Sequence, residues 1–524
     1  MRIRLLALAL CLLASPAWTQ PVTPAPAKRR VVVVIFDGMR PDFITEKHAP
    51  TLWKLRGEGV YFQNHHSIYP TATHVNGTAI ATGAYPDRSG LMANREFRYG
   101  IRQDRPVDTS AVDVIERGDQ MSEGKYLALP TVAEAVRAAG GTVTVAGSKS
   151  IAILQDRKAD WTTALATIGN DVITVFAAAP LPFALRDQTQ QLLGPFRVQP
   201  DQTNASRNGY VTRALTKVLW AKGVPDFSFL WLSEPDLAQH EFAPGSEAAL
   251  AAIKSSDDNL ATILRTLENK QLRESTNVFV VSDHGFSTIT QAVDIPELLH
   301  QAGFETGVKF KGRPQKGQVL VVPNGGTSLF YVMGHYPLIT RGLVRWLQRS
   351  DFAGVIFSRE PMEGTFDLKT IRIETRFGPD VVVAMRWSDR ANQFGVPGEI
   401  MADAKRGVGQ GTHASLSKYD VHNILVAAGP DFRRGAITTL PSGNIDLAPT
   451  IFHLLNLKPA EKFDGRILSE ALISTPEAPS ARAETETLEA TRDFPSGQWK
   501  QYLRISRFGD TTYFDEGNGA FMPK

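Results

Sequence analysis

The chain has 524 residues, a formal net charge of +3, 21% charged residues and 43% hydrophobic ones. Those proportions are those of a soluble globular protein, either one large domain with insertions or several domains. Neither charge nor composition argues for a nucleic-acid or membrane-surface binder, and no tract beyond the first twenty residues is long enough to span a bilayer.

Arg2 and Arg4 precede an apolar run over residues 5–13, and Ser15-Pro16-Ala17 offers a small-residue cleavage site. Residues 1–19 therefore read as a secretory signal rather than an uncleaved anchor, for which the run is short. The single cysteine, Cys11, falls inside it and follows Leu10, where a lipoprotein would need a small residue. Cleavage would leave a chain without thiols, dependent on its core and on bound metal rather than disulfides. Residues 20–29, rich in Pro and Ala, read as a linker.

Residues 31–36 are continuously apolar and mostly β-branched, the pattern of a strand buried on both faces. Further strands are expected over 142–146, 227–232, 277–281 and 423–428, and helices over 49–58, 131–139, 248–268 and 445–457. This alternation predicts an α/β fold with a doubly wound, mainly parallel sheet flanked by helices. Residues 303–389 differ, mixing short strands with one helix near 343–349, and read as an inserted α+β cap subdomain. The catalytic core then spans 20–302 and 390–474, with insertions at 101–128 and 160–210 that could shape a pocket. The tail, 475–524, reads as a polar linker over 475–491 followed by a terminal hairpin over 503–514 that turns at Gly509-Asp510. There is no internal repeat.

The chemistry centres on Tyr69-Pro70-Thr71-Ala72-Thr73-His74-Val75-Asn76-Gly77, which leads into a small apolar run that predicts a short helix. A hydroxyl at Thr73 would face unpaired backbone N–H groups and the positive end of the helix dipole, a setting that suits a nucleophile attacking phosphate. Taken alone, a plain N-cap explains the same residue, and Thr71 is a rival nucleophile. Several acidic and imidazole side chains change the balance, because each follows a strand or lies in a loop. Asp37 follows the first strand, Asp236 and His240 follow another, and Asp283-His284 follow a third; His413 sits in the Gly-rich stretch 407–415. Individually, these are also turn formers, solvated helix residues or surface histidines. Together, Asp37, Thr73, Asp283 and His284 could hold one divalent cation and Asp236, His240 and His413 a second, clamping an in-line displacement at phosphorus. The remaining histidines, His48, His65, His66, His74, His300, His335, His422 and His453, read as structural, without comparable carboxylate partners.

On these residues the chain resembles the alkaline phosphatase superfamily, and within it the type I phosphodiesterase/nucleotide pyrophosphatase family. The matching pieces are Phe36-Asp37-Gly38, Tyr69-Pro70-Thr71-Ala72-Thr73, Gly90-Leu91-Met92-Ala93-Asn94, Glu234-Pro235-Asp236 with His240, Ser282-Asp283-His284-Gly285 and Gly411-Thr412-His413. The resemblance implies two divalent metal ions, zinc first among them, a phosphothreonine at Thr73, and an Asn94 amide donating to a phosphoryl oxygen. It also implies that water at the metal of Asp236, His240 and His413 attacks the phosphothreonine. Two departures bear on substrate. His74-Val75-Asn76-Gly77 stands where the family often has Phe-Pro-Asn-His. Lys149 is followed at the second position by Ile151, not by the Arg of some phosphomonoesterase relatives. Loss of that bidentate partner favours diesters, while Lys149 keeps a phosphomonoesterase as the alternative. A sulfatase would need Cys or Ser at the nucleophile position. A full set of ligands favours an enzyme over a binding protein that has kept the fold. The expected partner is a small phosphate ester, with no nucleic-acid surface evident, no membrane span after signal cleavage, and a periplasmic or secreted destination; oligomeric state is left open.

Overall fold

Strand β1 (Arg30–Phe36) forms on the first apolar run, and Val31 through Phe36 are fully buried. Each such side chain contributes about 1.5–3 kcal/mol on burial, so a register slip that exposed one face would be costly. The computed structural model describes residues 28–157, 165–167, 173–178, 189, 191–194, 204–375, 378–475 and 482–524. The expected signal over 1–19 lies outside them, as does much of the 160–210 insertion.

The main sheet contains, in chain order, β1, β2 (Val60–Phe62), β3 (Val143–Gly147), β4 (Leu165–Thr167), β5 (Ile173–Ala178), β6 (Phe227–Leu232), β7 (Thr276–Val281), β8 (Leu425–Ala428) and β9 (Ala436–Thr438). Their order across the sheet is β9-β2-β8-β7-β1-β6-β3-β5-β4. The four central strands β7, β1, β6 and β3 run parallel. Antiparallel pairing flanks them on both sides, including β8 against β7. An apolar run specifies a buried strand but not its direction, which is why residues 423–428 carried no sign of that reversal.

Helix α1 (Pro50–Glu58) buries Leu52 and Leu55, and the long α4 (Glu247–Asn269) buries Ile253, Leu260, Ile263 and Leu267 at helical spacing. Between them in sequence lie α2 (Thr73–Thr82) and α3 (Asp236–Phe242). The expected helix over 445–457 begins as a 3-10 turn, Asn444–Asp446, and continues as α5 (Leu447–Leu454).

Six strands between Thr306 and Asp367 and over Val381–Met385 form a separate mixed sheet, backed by the helix Pro337–Leu347. A second small sheet joins Ser287–Val293 to Trp387–Ala391, Pro397–Asp403 and Gly411–Thr412. Its strand Trp387–Ala391 straddles position 389, where the cap was expected to end.

The tail differs from the expected linker and hairpin. It forms a three-stranded antiparallel sheet of β10 (Glu484–Phe494), β11 (Gly497–Phe508) and β12 (Thr511–Pro523), with the predicted turn at Gly509-Asp510. Strand β10 is mostly exposed and polar, so its order comes from pairing with β11 rather than from an apolar pattern of its own. The sheet is docked. Gln501 exchanges two hydrogen bonds with the backbone of Ile356, and Gly517 N donates to Leu416 O at 2.9 Å.

Candidate active site

Parallel neighbours in a sheet lie about 4.8 Å apart, so residues just past their carboxyl ends become neighbours too. Strands β7, β1, β6 and β3 are followed respectively by Asp283, Asp37, Asp236 and Lys149. The backbone ties these ends together: Asp236 N donates to Asp37 O at 3.0 Å and Gly38 N donates to Asp283 Oδ1 at 3.1 Å. Gly38 has φ +72°, and a Cβ there would stand 3.2 Å from the Asp236 backbone, so the turn after Asp37 needs glycine.

Thr73 is the first residue of α2, with Ala72 as the N-cap, so it is not an N-cap residue. Asn76 fixes the approach: its Oδ1 accepts from Ile68 N at 2.7 Å and its Nδ2 donates to Ile68 O at 3.0 Å and Ala72 O at 3.2 Å. Gly77 lets α2 lie close, since a Cβ there would meet Ile151 Cγ1 at 2.7 Å and Trp231 at 3.1 Å. The rival hydroxyl of Thr71 is fully buried and donates to Ser415 O at 2.8 Å, away from the cluster.

The three imidazoles share one arrangement. Nδ1–H of His240 donates to Gly411 O at 2.9 Å, that of His284 to Gly285 O at 2.9 Å, and that of His413 to Thr71 O at 2.8 Å. A carbonyl can only accept, so each Nε2 turns a lone pair inward, as a metal-ligating histidine does. His284 Nε2 lies 3.2 Å from Asp283 Oδ2, 3.7 Å from Asp37 Oδ1 and 3.2 Å from Thr73 Oγ1, whose hydroxyl donates to it. Asp236 Oδ1 lies 3.4 Å from His240 Nε2 and 3.6 Å from His413 Nε2. The rings of His284 and His413 stack at 3.6 Å. Two sets have mutual reach for one ion each, Asp37–Asp283–His284 and Asp236–His284–His413, with His284 common to both. Thus all seven expected ligands converge, with His240 joining through Asp236.

Lys149, which the resemblance raised only as a phosphate-side cation for the phosphomonoesterase alternative, lies inside the cluster itself. Its Nζ lies 2.8 Å from Asp37 Oδ2, 2.9 Å from Asp236 Oδ2 and 3.4 Å from Thr73 Oγ1. The available signal was its place just past a strand's carboxyl end, the same as for the aspartates. Trp231 was also missed; its Nε1 donates to Asp37 Oδ2 at 2.7 Å.

Three buried carboxylates face one ammonium. Burial, then the charge of Asp283, drives the Asp37 carboxyl well above its usual range, and burial lifts Asp283 to about 7. Burial acts the same way on Asp236, but Lys149 and the surrounding imidazoles outweigh it and hold that carboxyl low. Burial lowers His240 and His284 to about 3 and pushes His413 well down, so all three are neutral and ready to ligate. Asp37 Oδ1, Asp236 Oδ1 and Asp283 Oδ2 are buried without any hydrogen-bond partner. Orphaned carboxylate oxygens facing neutral imidazoles fit divalent cations, and the Lys149 ammonium already bridges two of those carboxylates.

Asn94 Oδ1 accepts from His74 N at 2.7 Å, which fixes the amide orientation and leaves Nδ2 free to donate. Asn94 lines a pocket over His240 and His413 whose wall also carries Arg95, Lys405 and Arg406. Burial, then Arg406, lowers the Lys405 ammonium, the mark of cations crowded together. Three of the histidines set aside as lacking a carboxylate partner have one: His66 with Asp515 at 3.0 Å, His335 with Asp380 at 2.6 Å and His74 with Asp108 at 3.9 Å. Those partners are far apart in sequence, and no local pattern announces them.

This fold and site define an α/β protein with a buried Asp/His cluster, able to hold metal, at the carboxyl edge of its sheet. The family model for type I phosphodiesterase / nucleotide pyrophosphatase matches residues 31–338. The chain belongs to that family, and through it to the alkaline phosphatase superfamily. Among curated relatives it is 21% identical over 259 residues to a bis(5'-adenosyl)-triphosphatase of Xenopus laevis, covering 49% of this chain and 47% of the relative. It is 22% identical over 265 residues to venom phosphodiesterase 2 of Crotalus adamanteus, covering 50% of this chain and 27% of the relative. The chain thus spans about half the length, or less, of the curated relatives it matches. Murine ectonucleotide pyrophosphatase / phosphodiesterase 5 in complex with AMP shares the fold at a TM-score of 0.58 and 17% identity, covering 85% of this chain and 100% of that one. Among the described residues, no helix is long and apolar enough to cross a membrane.

Proposed function

We propose that the protein is an exported phosphodiesterase/nucleotide pyrophosphatase that hydrolyses phosphate diesters through a phosphothreonine at Thr73. The observation that carries this reading is the place of Thr73 Oγ1. It sits at a helix N-terminus and donates to His284 Nε2, inside a cluster short of positive charge. Asp37, Thr73, Asp283 and His284 would hold one divalent cation, and Asp236, His240 and His413 the other, with zinc the best match to these N and O donors. Bound there, such ions supply charge neutralisation for the phosphoryl group and lower the proton affinity of nearby hydroxyls.

The chain's own groups account for the rest. The Thr73 oxygen, giving up its proton to water, attacks phosphorus while the bond to the in-line leaving oxygen breaks and that oxygen takes a proton from water. A water molecule then attacks the phosphothreonine, releasing the phosphoryl group and restoring the Thr73 hydroxyl. The Asn94 amide and the Lys149 ammonium, 3.4 Å from the nucleophile, meet charge that builds on the non-bridging oxygens. Beside Asn94 the pocket carries Arg95, Lys405 and Arg406 together with Asp108 and Asp403, a net positive wall for a further phosphate of the substrate. That wall, and a structural neighbour holding AMP, support nucleotide-like diesters or pyrophosphates as the substrate class. Relatives named as venom and ecto-enzymes, together with the N-terminal signal pattern, support a periplasmic or secreted setting.

A phosphomonoesterase is the second reading, and Lys149 is the observation in its favour. Against it, Ile151 is fully buried against α2, so the position that would supply a second phosphate-binding cation points into the core. Rates on bis-p-nitrophenyl phosphate and p-nitrophenyl phosphate, with elemental analysis of the purified chain, separate the two. Diester preference with two bound ions is expected; a strong monoester preference would reverse the assignment.

A further inference from the structure

One more group of ligand-type side chains converges outside that centre. His66, His422 and Asp515 each place a potential ligand atom within 4.8 Å of the others. They come from three distant segments: the short strand His65–His66, the residue after the helix Lys418–Val421, and β12. His66 Nδ1 lies 2.8 Å from Ser442 O and Nε2 lies 3.0 Å from Asp515 Oδ1. The carbonyl can only accept, so in the neutral ring Nδ1 carries the proton and Nε2 turns its lone pair toward the carboxylate. Two electron-rich atoms 3.0 Å apart call for positive charge between them. His422 stands beside it, its ring centroid 4.6 Å from that of His66. Ser506 Oγ steadies the carboxylate from behind, at 2.9 and 3.0 Å from its two oxygens. A ring nitrogen anchored on a backbone carbonyl, with the opposite nitrogen of His66 facing a carboxylate, is the arrangement that orients the imidazoles of the active centre as well.

We propose that His66, His422 and Asp515 form a structural site for one divalent transition-metal ion, with the two-nitrogen, one-oxygen donor set that suits zinc. The site pins β12 of the C-terminal sheet to the segments that lead into Thr73 and away from His413. It would add a polar tie to the apolar contacts of Leu503, Ile505 and Phe514 with the core. The inference is independent of the catalytic assignment, because it involves none of the same ligands.

The test counts zinc on the full chain. Protein stripped with a chelator is dialysed against Zn2+ and compared with Asp515→Asn and His422→Gln, chosen to keep size and polarity. Each variant is expected to carry one zinc equivalent fewer than the parent chain, whatever its activity. Anomalous diffraction at the zinc edge should show a peak among the three side chains of the parent protein, and this decides alone if a variant fails to fold. Equal zinc content in all three proteins, or no peak at that position, would overturn the proposal and leave a plain imidazolium–carboxylate pair.

Discussion

The ammonium of Lys149 stands 3.4 Å from the hydroxyl of Thr73 while bridging Asp37 and Asp236 at 2.8 and 2.9 Å. A single flexible cation therefore touches the proposed nucleophile and a carboxylate from each proposed metal set. With metal bound, those carboxylates would have other partners and the ammonium would be available to substrate. Lys149→Ala is expected to lower kcat/KM for a dianionic monoester about ten times more than for a diester, since a lost charge-assisted hydrogen bond weighs more against the more highly charged group. Parallel assays on p-nitrophenyl phosphate and its bis ester check this, and equal losses on both would count against Lys149 as a phosphate ligand.

Thr73→Ala removes the attacking oxygen and leaves every Asp and His of the cluster in place. Turnover of bis-p-nitrophenyl phosphate should fall by on the order of 10^3-fold or more. Metal content, read by elemental analysis, should stay close to that of the parent chain. Retained turnover would remove Thr73 from the mechanism.

Asn94 spends its side-chain oxygen on His74 N, so only its NH2 is free for substrate. Asn94→Ala should cost about 10^2–10^3 in kcat, the size found for loss of one preorganised donor, with KM changed far less. A rise in KM at constant kcat would instead mark Asn94 as a residue that binds ground state and transition state alike.

Asp446 offers a pH dependence away from the catalytic cluster. Its carboxyl accepts from Gly443 N, Arg466 N and the Tyr513 hydroxyl, and burial lifts it to about 6. The folded chain then holds a proton that the unfolded chain releases near pH 4, so the folded state binds more protons between about pH 4 and 6. The contribution of Asp446 to stability is complete below about pH 4 and is lost as pH rises through about 6. Thermal midpoints of the parent and Asp446→Asn should therefore diverge in the parent's favour as pH is lowered from about 7 to about 4. A constant difference would show that Asp446 does not titrate in that window.

Much of the site could be read without coordinates because the chemistry sits where strands stop. Asp37, Asp236 and Asp283 each follow an apolar run, and a ligand-binding edge is the expected place for them. Lys149 sits in an equivalent position, and the resemblance tied it only to the phosphomonoesterase alternative. Only the neighbours of β3 in the sheet show that it faces inward. Strand β10 was hidden for another reason: its residues are polar and exposed, and the hydrogen bonds that order it belong to β11. The pairing of His66 with Asp515 joins residues at opposite ends of the chain and leaves no trace in either neighbourhood.

The buried strands and helices, and the residue types able to ligate metal or attack phosphorus, were legible along the chain. Those properties follow from local hydrophobic pattern and side-chain chemistry, both of which are written residue by residue. Only the tertiary structure decided the order and direction of the strands, the entry of Lys149 into the centre, and the docking of the tail through Asp515. These depend on which distant surfaces meet, and that is settled by the packing of the whole core rather than by any one stretch.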